Sequence, residues 1–500
     1  MKELYSGYVD LHLPGCYYSP MFSNCVQLNA GLFLLMLLLG VLPCAWGGDY
    51  YVARNGQTPS FPYTTWESAA LHIQDAVNAA TTNDTVWVGA GRYTAPPNFT
   101  NFGGSNVVFI NRPLTLRSSN GVPASTVIDG QGSCRGIAVR YVTTTSNQVV
   151  IDGFTISNCF ATNIGGGIFF QSFETVWTGV VRNCIISDNT VAWGTNNGIF
   201  LYRTTGSSGG GLGVYHNSCG WGITITNCIF RGNRALPRGE AFADVSDGGG
   251  LSIRTGSGNV ILDTCLIESN TAVSVGGLEM GYGNYEFINC IFRYNGAYTN
   301  GSGCVSYAPG AGALEGGRFT MRNCLVYNNY AYRCGGIYIT SSSNSIYSST
   351  IVSNRCYSGG GGVWMRFVHH DNNTHLRIWN SIIYSNTLPN INVDNPTNKV
   401  EERLSLQITN SCFTTNGLAY ESYFNLMSPE KGNTTNNPMF ADFAGEDFRL
   451  RSDSPCFNTG NNQEWMNNAV DLDGHKRLRY GTVDMGAFER LQDATVYRFR

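Results

Sequence analysis

Few residues of this 500-residue chain are grouped in the way that chemistry requires. The histidine cluster "HHDNNTH", His369 to His375, has a His370 to His375 spacing that fits no helical metal site, and it reads as a solvated turn between two strands. "DLDG", Asp471 to Gly474, starts like a calcium loop but lacks the later ligands, notably a terminal acidic residue, so it reads as a turn cap. No metal site and no cofactor is expected. The most suggestive set lies at the outward position of a recurring glycine-led strand: Ser252, Glu279, Glu315, Tyr338 and Trp364. If these stack one above another at the ~4.8 Å strand spacing, two carboxylates stand beside two aromatic platforms, a surface on which an extended glycan can stack and hydrogen-bond. The Glu279 to Glu315 separation would then approach the ~5–5.5 Å of retaining glycosidases. Side chains stacked in register point the same way rather than across a bond, so binding is the stronger form of the idea and a plain solvated face is its alternative.

The element that positions this row is a repeat. "NCIFRGN", Asn227 to Asn233, returns as "NCIISDN" from Asn183, "NCIFRYN" from Asn289 and "NCLVYNN" from Asn323. Anchored on the final Asn, the series runs through Asn163, Asn189, Asn233, Asn270, Asn295, Asn329, Asn354, Asn386 and Asn416. Five residues earlier stands a compact residue (Asn158, Cys184, Cys228, Cys265, Cys290, Cys324, Ser349, Ser381 or Ser411), and three earlier an apolar one. Two inward positions separated by one outward residue is the period of a strand. A second short strand lies upstream, as in "VILDT" before Cys265, and before it the glycine-led strand, as in "GGGLSI" at Gly248 or "GGVWM" at Gly361. Three strands and three turns in about 25 residues, repeated, describe one coil of a parallel β-solenoid. The recurring Asn is expected to accept left-handed backbone angles at a corner and to build an amide ladder from coil to coil.

Composition agrees. The chain has 60 glycines and only 13% charged residues, which suits short strands and turns, and its net charge of -3 supplies no basic stripe for nucleic acid. The run Ala30 to Leu42 is short for a membrane span but suits a secretory signal, with a small-x-small site at Ala45-Trp46-Gly47. The mature chain is therefore expected to be secreted or on the cell surface, with no span after residue 48.

With these features the chain resembles the bacterial right-handed parallel β-helix proteins of the pectin-lyase-like superfamily. "GGG" plus an apolar strand, followed by "FRGN" or "FRYN", is similar to the repeats of chlamydial polymorphic outer membrane proteins. "YYVARNGQ" through "VWVGAGRYT" looks like their N-terminal cap, with Thr64 and Glu67 as a capping box and Trp66, Ala70, Ile73, Val77 and Ala80 on one helical face. "NPMF", "DFRLRSDSPCFNTG" and "DLDGHKRLRYGTVDMGAFE" look like the C-terminal choice-of-anchor module of such proteins. The expected fold is all-β: a single right-handed parallel β-helix with an N-terminal amphipathic helix cap. The expected division is 1–47 signal peptide, 48–100 N-terminal cap, 101–436 coils, 437–489 C-terminal capping region and 490–500 tail.

For the 16 cysteines of an exported chain a disulfide framework is the first thought. Register argues otherwise for Cys184, Cys228, Cys265, Cys290 and Cys324. In-register neighbours hold their Cβ atoms farther apart than the roughly 3.8 Å a disulfide favours, and serine replaces them in later coils. Cys334 and Cys356, in corner loops of adjacent coils, are the pair for which a bridge is open. Segment length varies at one corner, so residues around Trp193, Glu240 to Asp247 and Tyr298 to Tyr307 are expected to gather on the working side. Three functions are compatible with this reading: a monomeric, non-catalytic, adhesin-like protein presenting a face to a polysaccharide or cell-surface ligand; a polysaccharide lyase or glycoside hydrolase on the same fold; and a purely structural surface protein. The pectate lyase and polygalacturonase catalytic sets are not found in the sequence.

Overall fold

The computed structural model describes residues 47–491 apart from 98–99, 102–103, 141–147, 163, 173–177, 193–207, 217–220, 238–246, 298–311, 316, 341–342, 367–373, 395–403, 416–430 and 480. The expected signal segment, Trp193, residues 240–246, Tyr298 to Tyr307, His369, His370, Asn163 and Asn416 thus lie outside the described residues.

Pairing that is parallel except where Thr100–Asn101 joins Gly104–Ile110 builds three sheets, of 21, 11 and 7 strands, that wind around one apolar interior. One coil shows how. Leu251–Asp263 leads into Leu266–Glu268 and then Thr271–Ala272. In the next coil Leu278, Ile291 and Gly296 stand opposite Leu251, Leu266 and Thr271. The two upstream strands expected from sequence are here one continuous strand, bent where the register shifts between Arg254 and Gly258. Elsewhere they stay separate, as Ile337–Ile339 and Ser343–Tyr347.

The two asparagines of "NCIFRGN" do different work. Asn227 itself is left-handed, with φ 51°, and so are Asn183, Asn289 and Asn323. The ladder Asn is not: the residue before it carries the positive φ instead, as at Asp188, Gly232, Ser269 and Tyr294. The expectation that one Asn serves both roles is corrected accordingly. The ladder Asn is free to point inward, where Asn189, Asn233, Asn270, Asn295, Asn329 and Asn354 are all 0% exposed. Each Nδ2 donates to the Oδ1 of the next, from Asn189 to Asn233 and so on to Asn386, at 2.9–3.0 Å. The other amide hydrogen goes to a main-chain carbonyl of the preceding coil, Ile186 for Asn233 and Ile267 for Asn295. Glycine pairs pack directly against the ladder: a Cβ at Gly250 would lie 3.0 Å from Asn270 Nδ2 and 2.7 Å from the Gly277 carbonyl.

Both ends of the predicted series shift. Thr190 pairs with Phe160, so Cys159, not Asn163, takes the ladder place, and its N–H donates to Asn189 Oδ1. At the other end Asn386 donates to Asn390, which leads into the next coil's first strand, Ile391–Asp394, and in turn donates to Thr414.

Cys184, Cys228, Cys265, Cys290 and Cys324 are buried free thiols. Each thiol donates to the carbonyl two residues back, as Cys265 does to Asp263 at 3.4 Å, and Ser349, Ser381 and Ser411 do the same. The position selects a compact donor, which explains the exchange of Cys and Ser. Cys265→Ser is expected to shift stability little, whereas Cys265→Leu overpacks the coil and costs ~1–3 kcal/mol; thermal melts of the two variants check this. Cys334 and Cys356 are also free in the structure.

At the N-terminal end the helix is shorter than expected, Ile73–Ala79, with Ile73, Ala76 and Val77 buried. Its N-cap is His72 without a side-chain cap; before it the chain turns at Glu67–Ser68 and Ala70 bridges to Val52. Thr64 and Glu67 are therefore not a capping box; Thr65 and Ser68 bond reciprocally instead. Trp66 is 41% exposed and packs on the Tyr51 ring rather than on the helix core. Parallel pairing already starts at Asp49–Val52, ahead of residue 101.

The C-terminal segment closes the solenoid and then flanks it. Thr434 bridges to Cys412 at the last coil. Residues from Pro438 onward then turn back along the outer face of the 11-stranded sheet, where Phe440, Phe448, Leu450, Cys456 and Met485 bury Leu325, Tyr327, Val352 and Ile382. Asn323, Asn380 and Asn410, freed from a polar ladder of their own, donate to the carbonyls of Val470, Asn461 and Thr459.

Candidate functional site

The outward row does not stand as expected. Register places Ser252, Glu279, Ala313, Tyr338, Trp364 and Asn392 side by side. Glu315 sits opposite Gly281, two residues along, so it is not the register neighbour of Glu279. The expected place of Glu315 in the row is corrected because its strand pairs through Gly312 and Leu278. Nor is the row exposed. Tyr338 is 1% exposed, Glu279 and Trp364 each 5%. Tyr338 and Trp364 meet edge to face at 5.2 Å and pack with Val275 and Cys334, while Glu279 accepts the Ser252 hydroxyl at 2.7 Å. Outward from the solenoid is thus not the same as facing solvent.

Other polar groups are structural. Glu268 receives Arg293 at 2.7 Å and Arg231 as well; burial works against its charge, yet these two guanidiniums hold its carboxyl below the usual range. Asp152 is shared by Arg117 and Arg182, each at 2.9 Å. Asp471, Asp473 and His475 bring ligand atoms within 4.8 Å of one another. Asp471 is nevertheless engaged by the N–H groups of Asp473, His475 and Glu489, and Asp473 by Arg449, which bears out the turn-cap reading of "DLDG". His375, the described end of the histidine cluster, lies in Thr374–Trp379 and its carbonyl accepts from Asn344.

An open cleft of ligand size, about 430 Å³, lies on the outside of the 7-stranded sheet. Its rim is set by the left-handed corner residues Asp188 and Ser269 and by Gly232 between them. A Cβ at Gly232 would stand 2.6 Å from Asp188 Oδ1, so glycine here lets the carboxylate lie over the next coil. On the strands themselves Thr190, Arg234 and Thr271 are in register, a guanidinium between two hydroxyls, and Leu236 and Pro237 add apolar surface. Asp188 and Arg234 are exposed, and among the described residues neither has an ion-pair partner. A cation with bidentate reach, a carboxylate, hydroxyls and apolar carbon share one concave surface. Sequence reasoning pointed to this corner through segment length but not to Arg234 or Asp188. The signal for Arg234 was the outward position of the strand that follows each ladder Asn, and that for Asp188 the left-handed corner place just before it.

A family model for the right-handed β-helix region matches residues 141–351 and 212–395, together more than half of the chain. Among solved structures the fold is similar to a crystal structure of the pectate lyase Pel9A, with TM-score 0.52, 16% identity, and coverage of 89% of this chain and 96% of that one. A rhamnogalacturonan lyase matches with TM-score 0.35 and 15% identity over 73% of this chain and 87% of that one. No curated protein sequence matches the chain. With its parallel coils, inward amide ladder and family match in agreement, the chain belongs to the right-handed β-helix family.

Proposed function

We propose that this is an exported polysaccharide-binding β-helix protein, adhesin-like, whose working side is the cleft on the 7-stranded sheet. The observation that carries the reading is Arg234, exposed and without an ion-pair partner among the described residues, lining with Asp188 and Thr271 a cavity of about 430 Å³. The strands that line the cleft lead into residues 193–207 and 238–246, the long insertions of that corner, which supports its being the ligand side. Likeness of fold to a pectate lyase is compatible with a polysaccharide as ligand. Binding without cleavage is favoured because the carboxylates paired with arginines, Glu268 and Asp152, lie on other faces and are neutralised.

The test is affinity for a panel of acidic and neutral polysaccharides, with and without calcium, for the parent and Arg234→Ala. Loss of charge-assisted hydrogen bonds of ~1.5–3 kcal/mol corresponds to roughly ten- to hundredfold weaker binding. Equal affinity of the two proteins for every polysaccharide the parent binds would remove this cleft as the site. Release of unsaturated products by the parent would establish a lyase in place of a binding protein.

A further inference from the structure

The outer row of the 11-stranded sheet ends at Cys412, which pairs in register with Ile382. Cys456 belongs to the C-terminal segment that lies against this face, and both cysteines are 0% exposed within the same apolar cluster. Their main chains are held independently. Cys412 donates to the Ser381 carbonyl at 2.8 Å and bridges to Thr434, while Cys456 donates to Ser454 Oγ at 3.1 Å and accepts from Met485 at 3.0 Å. Both are free thiols in the structure; the Cys412 thiol donates to the Asn436 carbonyl at 3.2 Å and shares one buried apolar cluster with Cys456. This differs from the interior cysteines, which occupy equivalent places on neighbouring strands and so point in parallel. Here one cysteine projects out of a sheet and the other projects onto it, the approach a disulfide needs.

We infer that Cys412 and Cys456 form a disulfide that fastens the C-terminal segment to the last coil. The two thiols give up two protons and two electrons as the S–S bond forms. The acceptor is a disulfide oxidant, itself reduced to two thiols, of the kind an oxidising compartment supplies. The closed loop contains residues 413–455, and the bond would restrict the unfolded ensemble of that stretch while covering the apolar face of the 11-stranded sheet in the folded state.

The full chain, refolded with oxidised glutathione, is denatured without reductant, alkylated and digested. The expected result is one linked peptide pair holding Cys412 and Cys456, lost on reduction, with Cys184, Cys228, Cys265, Cys290 and Cys324 recovered alkylated. The melting temperature should fall by several degrees on adding reductant to the parent and stay unchanged in Cys456→Ser. Recovery of Cys412 and Cys456 as separately alkylated peptides, or linked to other cysteines, would overturn the inference, and this readout on the parent does not depend on the variant folding.

Discussion

Asn295→Asp is expected to destabilise the solenoid by about 3–5 kcal/mol, more than Asn295→Ala, which removes the whole amide and costs ~1–3 kcal/mol. Asn295 is 0% exposed. Its Nδ2 donates to Asn329 Oδ1 at 2.9 Å and to the Ile267 carbonyl at 2.8 Å, and its Oδ1 accepts from Asn270 Nδ2 at 3.0 Å and from the Asn270 N–H at 3.1 Å. In the aspartate variant an oxygen faces two oxygens, a buried charge without a partner or, after protonation, one hydrogen for two acceptors. A mere packing role for Asn295 predicts the opposite order, since Asp keeps the shape that Ala loses. Denaturant melts of the three proteins decide, and an aspartate variant as stable as the parent would refute the ladder account.

The second large effect concerns Arg477, 0% exposed within the C-terminal segment. It pairs with Glu489 at 3.0 Å and donates to the carbonyls of Gly486 and Asp484. Burial outweighs that pairing and pushes the Glu489 carboxyl up to about 8 and Asp484 upward as well. A carboxyl whose folded value is raised contributes stability that is full below its unfolded value near 4.5 and is lost as pH rises through about 8. The parent should therefore melt higher at pH 5 than at pH 8. Carboxylates with depressed values, such as Asp129 and Glu268, titrate below this window and leave it undisturbed. In Arg477→Met Glu489 loses its ion-pair partner and Asp484 keeps only Arg490 as a nearby cation, so the loss should be about 3 kcal/mol or more at pH 8 and smaller at pH 5. Protection of residues 438–489 against limited proteolysis, followed across that range, reports it; a loss that does not depend on pH would mean that Arg477 acts by packing alone.

Much of the fold was legible because its interior is narrow. A coil that admits only a compact donor at one inward place and an amide at another must repeat those residue types, so Cys265 and Asn270 announce themselves. The first coil was misread because "NCFATN", from Asn158, imitates the motif, while the true equivalent is the stretch from Gly153 to Cys159, with φ 87° at Gly153 and 52° at Asn158. Period alone says which way a side chain points, not what comes to rest on it. Tyr338 and Trp364 point outward and are covered, and Leu325 and Ile382 are outward residues that the C-terminal segment buries. The cleft was half legible: the long insertions after Asn189 and Asn233 marked its corner, but Arg234 and Asp188 belong to no repeating type and only the left-handed turn geometry brings them to one rim.

Hydrogen exchange with and without a bound polysaccharide tests most directly whether that rim is the working side. Protection confined to the backbone around residues 188–192, 232–237 and 269–273 is the predicted result. Protection at 278–281, 337–339 and 363–366, with none at the cleft, would contradict it and return the ligand to the outward row that the structure shows buried.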